Sequence, residues 1–171
     1  MDNLDRYLDW QSFMGEIFEK YFPKTVFEFG LGFGTEFFLD RAEKVYSLEL
    51  LCNPGYEPWY GDMIEKYKGR ENWKPYLFKC VDKMTGVTKL QIANHLVRTK
   101  PDLAFVDPGV HFRGEIVNLC MKYKVPLIVA HDTGCGFDEN DIYGWGKIEP
   151  EGYEKEESAG KQGTTLWKLI K

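Results

Sequence analysis

The sequence predicts an α/β fold: a mostly parallel central sheet, helices on both faces, and a C-terminal antiparallel hairpin. Three observations predict it. Short apolar runs at 25–29, 45–50, 102–107 and 125–130 alternate with segments of helical periodicity, which is the pattern of strand–helix–strand units. The run at 25–29 is continuous, broken only by Glu28, as a strand buried on both faces requires. Two further strand-like segments, 153–158 and 164–170, are joined by Ala159-Gly160-Lys161-Gln162-Gly163, a link suited to a hairpin.

The elements follow in order. Residues 2–22 read as an amphipathic helix, with Leu4, Leu8, Phe13, Ile17 and Phe22 near helical spacing and Pro23 ending it. Residues 1–24 are expected to cover the sheet or to lid a pocket. Thr25 to Phe29 is the first strand, and a helix runs from Thr35 to about Arg41. Val45 to Leu50 is a strand that closes with Glu49, and Asn53-Pro54-Gly55 is a strong turn. Gly61 to Lys68 reads as a short helix, and Pro75 to Cys80 as a third strand followed by Asp82. Thr88 to Arg98 is helical, with Leu90, Ala93, Leu96 and Val97 as its apolar side. Asp102 to Asp107 is a strand, Arg113 to Lys122 a helix, and Val125 to Ala130 a strand followed by His131-Asp132. Residues 133–146, rich in Gly, Asp and Asn, read as loop.

Composition bounds the function classes. With 171 residues and no interior linker, the chain is read as one domain, 1–171, large enough for a real core. Hydrophobic residues make up 43% and aromatics 16%, which argues against disorder. The net charge of −5 lacks the signature of a duplex-nucleic-acid binder. Cys52, Cys80, Cys120 and Cys135 form no CxxC pair and are expected as reduced thiols in a cytoplasmic protein. The charged N-terminus lacks the apolar region of a signal peptide, and no run approaches a membrane span.

In open parallel sheets, ligands gather outside the carboxyl ends of the strands. The strands end in Glu28 before Gly30, in Glu49, in Asp107 and in His131-Asp132, so these residues are expected on one rim. Glycines at 30, 32 and 34 lead into Thr35 and a helix. Such a turn lets the backbone approach a ligand and aims helix amides at it. Glu49 follows Glu28 by 21 residues, the distance at which an acid meets a ribose diol in nucleotide-binding sheets. Glu28, two residues before Gly30, would repel a diphosphate and accept an ammonium group.

Glu28-x-Gly30-x-Gly32-x-Gly34-Thr35 followed by Glu49 resembles the first two motifs of the class I S-adenosylmethionine-dependent methyltransferases. The resemblance runs over about residues 25–171, by strand order more than by identity, and implies a Rossmann-like methyltransferase fold. It implies S-adenosylmethionine as cofactor. The turn from Glu28 to Thr35, with Gly30, Gly32 and Gly34, would lie against the methionine part. Glu49 would hold the ribose and Asp82 would lie near the adenine.

The second half looks most like small metal-dependent O-methyltransferases: a strand ending in Asp107, a loop with His111-Phe112, a helix, then a strand ending in His131-Asp132. The resemblance implies a divalent metal on Asp107, His131 and Asp132. The carboxylates suit Mg²⁺; His131 departs from the usual acid and favours a softer ion such as Mn²⁺ or Zn²⁺. The implied catalytic residues are Asp107, His131, Asp132 and His111, and the acceptor is a small molecule or a sugar.

Other readings stay open. Without metal, Asp107 or Asp132 could act as general base through His131 or His111. Asp107 could instead be a hydrogen-bond hub, His131-Asp132 a structural pair, and His111 a surface residue. Asp107-Pro108-Gly109-Val110 is similar to the Asp-Pro-Pro-aromatic motif of amino methyltransferases acting on nucleic acid. Gly109 and Val110 depart from it, however, and Val110 gives no stacking ring. A role in binding S-adenosylmethionine without catalysis is a further alternative. A nicotinamide oxidoreductase is disfavoured because the glycines fall at every second position. Nucleic-acid and membrane partners are not expected; a homo-oligomer that completes the acceptor pocket is.

Overall fold

The structure is a computed structural model that describes residues 10–52, 55, 57–81, 83–134, 141–158 and 162–170. Its elements are α1 (Gln11–Tyr21), β1 (Thr25–Phe29), α2 (Thr35–Leu39), β2 (Lys44–Leu51), α3 (Glu57–Lys66), β3 (Trp73–Lys79) and α4 (Gly86–Thr99). They continue with β4 (Leu103–Val106), α5 (Arg113–Lys122), β5 (Leu127–His131), a 3₁₀ turn (Trp145–Lys147), β6 (Tyr153–Glu157) and β7 (Thr164–Leu169). The strands form one sheet in the order β3-β2-β1-β4-β5-β7-β6. β1 to β5 run parallel, and β7 pairs antiparallel with both β5 and β6.

The central strands are the continuous apolar runs. Every residue of β4 and β5 is buried, and four of the five in β1. Alternate residues feed two cores. Val26, Val45, Leu103, Phe105 and Val129 pack with α1, α2 and α3 on one face. Phe27, Phe29, Leu48, Ala104, Val106 and Ile128 pack with α4 and α5 on the other. The N-terminal helix covers the first face through Phe13, Met14, Ile17 and Phe18. It ends at Phe22 in the left-handed region just before Pro23, where the ring forbids continuation. Asp102 accepts hydrogen bonds from the backbone N–H groups of Lys24 and Thr25 and ties the start of β1 to that of β4.

Boundaries differ from expectation in two informative places. The third strand begins at Trp73 rather than Pro75. It is an edge strand, so its half-buried residues lack the continuous apolar signal of the centre. The helix expected from Gly61 begins at Glu57 instead. Pro58 is tolerated in a first turn, where its missing N–H would have no intrahelical partner.

Between β1 and β4 the order of connections reverses, because β1 leads to β2 on one side while β3 crosses over to β4 on the other. Crevices open at such switch points. The register also aligns the rim. Phe29 pairs with both Leu48 and Val106, and Val106 with Ala130. Gly30, Glu49, Asp107 and His131 are therefore the next residues of four adjacent strands, in one row across the sheet.

Candidate functional site

Two of the three glycines are fixed by packing. Gly30 has φ +96°, and a Cβ there would lie 2.4 Å from the Asp107 carbonyl oxygen. No side chain fits where the end of β4 passes so closely. A Cβ on Gly34 would meet the Trp10 ring at 2.6 Å, whereas one on Gly32 would meet nothing nearer than Trp59 at 3.8 Å. Gly32 is thus the least crowded of the three, with a Cβ there in ordinary contact with the Trp59 ring, and a ligand can approach the backbone more closely there.

Beneath the turn lies a chain of hydrogen bonds. The Thr35 hydroxyl accepts from the Gly32 N–H at 3.1 Å and contacts the Glu28 carboxyl at 2.9 Å. Ser47 Oγ donates to Glu28 Oε2 at 2.6 Å and accepts from Trp73 Nε1 at 3.0 Å. Glu28 is only 1% exposed. Burial, opposed by the Ser47 and Thr35 hydrogen bonds, pushes its pKa from the usual 4.5 up to about 8. Glu28 therefore supports the turn from below, and burial favours its protonated form, in contrast to the charged acid at the mouth that the sequence suggested.

Glu49 stands at the rim. Its Oε2 accepts from the Leu31 N–H at 2.7 Å, and burial raises its pKa. Helix α3 and the residue just beyond it strap the same turn. Trp59 Nε1 donates to the Leu31 carbonyl at 3.0 Å, and the Tyr67 hydroxyl donates to the Gly32 carbonyl at 3.1 Å. Phe33 and Trp59 meet edge to face at 5.0 Å.

Across the switch point, Asp107, His131 and Asp132 come together; one ligand atom of each lies within 4.8 Å of the others. His131 Nδ1 is 3.3 Å from Asp107 Oδ2 and 3.8 Å from Asp132 Oδ1. Asp132 has φ +61°, a left-handed conformation that Asp tolerates but that stores strain, often at functional positions. The remaining carboxylate oxygens are held by Arg113. Its Nη1 donates to Asp107 Oδ1 at 2.8 Å and to Asp132 Oδ2 at 2.9 Å, and its Nε donates to the Pro108 carbonyl at 2.8 Å. The Arg113 side chain is 7% exposed, and its guanidinium lies 4.3 Å over the Tyr143 ring.

Sequence reasoning missed Arg113, Ser47 and the α3 strap. A signal existed for Arg113. It is the first residue of α5, where a cation opposes the helix dipole and needs anionic partners. Ser47 gave none, because a buried hydroxyl in an apolar strand is visible only once its neighbour is known. His111 is exposed on the loop before α5 and lies outside the three-donor group. Asp82 lies outside the described residues.

No family model matches the sequence, and no curated relative matches it. Solved structures do. The chain is similar to a Staphylococcus aureus protein described as a caffeoyl-CoA O-methyltransferase, with TM-score 0.70 and 11% identity over 99% of this chain and 84% of that one. It is also similar to an O-methyltransferase from Bacillus cereus in complex with SAH, with TM-score 0.66 and 13% identity over 95% of this chain and 81% of that one. The fold is that of the class I S-adenosylmethionine-dependent methyltransferases. An N-methyltransferase from Bradyrhizobium japonicum shares it as well, with TM-score 0.61 and 11% identity over the full length of both chains. Proteins described as O- and as N-methyltransferases thus share this fold. No helix among the described residues is long and apolar enough to cross a membrane.

Proposed function

We propose that the chain is an S-adenosylmethionine-dependent methyltransferase acting on a hydroxyl of a small molecule or sugar. The observation that carries the proposal is the contact between Gly30 and the Asp107 backbone. It joins the cradle beside Gly32 and Glu49 to the Asp107–His131–Asp132 group on one rim.

The cradle fits the cofactor in two respects. Gly32 is the least crowded glycine of the turn, so a ligand can approach its backbone closely, and Glu49 presents a carboxylate, the acceptor that a vicinal diol requires. S-adenosylmethionine supplies the activated methyl group. The chain's own residues position the acceptor near it, and in an in-line displacement positioning supplies much of the rate. Glu28 and Thr35 act indirectly, by fixing the turn.

Asp107, His131 and Asp132 fit a divalent cation by donor type, two carboxylate oxygens and an imidazole nitrogen. Arg113 occupies the far oxygen of each carboxylate and leaves the near ones facing His131. A bound cation would supply Lewis acidity toward the acceptor hydroxyl. The Arg113 bridge favours a second version, because it already provides positive charge to both carboxylates. There His131, oriented by Asp107, takes the hydroxyl proton directly.

Calorimetry with S-adenosylmethionine, S-adenosylhomocysteine and NAD tests the cofactor. Binding of the first two and not NAD is expected; NAD binding alone would overturn the reading. EDTA then separates the two versions. Lost turnover that Mg²⁺ or Mn²⁺ restores supports the cation, and full activity after chelation supports His131 as base.

A further inference from the structure

Two thiols lie side by side where β2 and β3 leave the sheet. Leu51 and Lys79 are the last residues paired between these strands, so Cys52 and Cys80 form the next rung. Adjacent strands lie about 4.7–4.9 Å apart, within the roughly 4.4–6.8 Å between Cα atoms that a disulfide bridges. The two sulfurs are in contact at 2.6 Å, and the Cys52 thiol is directed at the Val81 carbonyl at 3.3 Å. Both residues are half-buried, whereas Cys120 is fully buried. Burial also pushes the Cys120 thiol far up, which leaves little of the reactive thiolate.

We propose that Cys52 and Cys80 form a reversible dithiol–disulfide site, oxidised by a small-molecule disulfide of the glutathione type. One thiolate attacks a sulfur of the reagent, forming a mixed disulfide and expelling one small thiolate. The second protein thiolate attacks the protein sulfur of that bond, closes Cys52–Cys80 and expels the other. Two electrons pass from the protein sulfurs to the reagent, and the two thiol protons end on the two small thiols. The product closes a loop containing α3 and Tyr67, which carry the strap on the glycine turn. Oxidation therefore braces that strap. Its effect on cofactor affinity rests on the cofactor reading; formation of the bond does not.

The full chain is equilibrated across oxidised-to-reduced glutathione ratios, digested without reduction and mapped by mass spectrometry. The expected product is a peptide pair joined through Cys52 and Cys80, about 2 Da lighter than the two thiol peptides together. It should be absent from Cys52→Ser and Cys80→Ser. The melting midpoint should rise by roughly 5–10 °C on oxidation, in wild type only. Glutathione adducts without the joined pair at any ratio would overturn the proposal, as would a joined pair that survives in Cys80→Ser. A chain that forms the bond but binds S-adenosylmethionine in neither state upholds this site and sinks the cofactor reading.

Discussion

Glu28 and Asp107 stand on neighbouring strands, two residues apart along the sheet, since Glu28 pairs with Phe105. Glu28 lies under the glycine turn and is satisfied by the Thr35 and Ser47 hydroxyls. Asp107 lies on the rim and shares the Arg113 guanidinium with Asp132. The first arrangement takes a proton in place of a counter-ion and so can sit in the core. The second needs a cation, and its oxygens stay near solvent, where partners can exchange. The support beneath the glycine turn is built from hydroxyl hydrogen bonds, and the half assigned to chemistry is built from paired charges.

Four measurements press on this contrast. The largest effect is expected from Arg113→Met, which leaves two carboxylates facing each other without their cation. Breaking a buried ion pair on one side costs about 3–5 kcal/mol, read as lost stability in urea unfolding. Partial recovery with Mn²⁺ would show that a metal can take over the guanidinium's role. A loss below about 1 kcal/mol would mean that the carboxylates do not depend on Arg113.

Gly30→Ala comes next. Its Cβ would enter the Asp107 backbone at a positive φ, at a cost of about 2–4 kcal/mol in stability. Gly32→Val should stay within about 0.5 kcal/mol of wild type in stability while weakening S-adenosylmethionine binding by about 10–100-fold. If the two glycines behave alike, the distinction between a packed and an open glycine fails.

Glu49→Ala should weaken S-adenosylmethionine binding by about 1.5–3 kcal/mol, the range for a hydrogen bond to a charged group. An unchanged dissociation constant would remove Glu49 from the cradle.

The last measurement reads a slope rather than a loss at one pH. Glu28 holds its proton up to about pH 8 in the folded chain, against the usual 4.5, so the folded state binds the extra proton between those values. Its contribution is fully present below 4.5 and is lost as pH rises to 8, by on the order of 1.4 kcal/mol per pH unit. Glu28→Gln should flatten that part of the stability profile. An unchanged profile would show that Glu28 is charged in the fold.

Much of this was legible in the sequence. The strands that announced themselves, 25–29, 102–107 and 125–130, are those buried on both faces, where local composition and tertiary burial agree. Asp107 and His131, which end two of them, stand in the rim row because parallel strands in register place their ends together, whereas Glu28 lies buried below it. What the sequence hid was pairwise. Glu28 finds its hydrogen-bond partner in Ser47, 19 residues away, and the sharing of Asp107 and Asp132 depends on Arg113 reaching both. No local pattern encodes either.

The two outer strands have a further consequence. β6 carries Glu154, Glu156 and Glu157 beside Lys155, nearly all exposed, and β3 carries Pro75 between Lys74 and Lys79. Proline cannot donate to a ladder, and a row of like charges repels its own copy. Both margins therefore disfavour edge-to-edge pairing with a second copy of the chain.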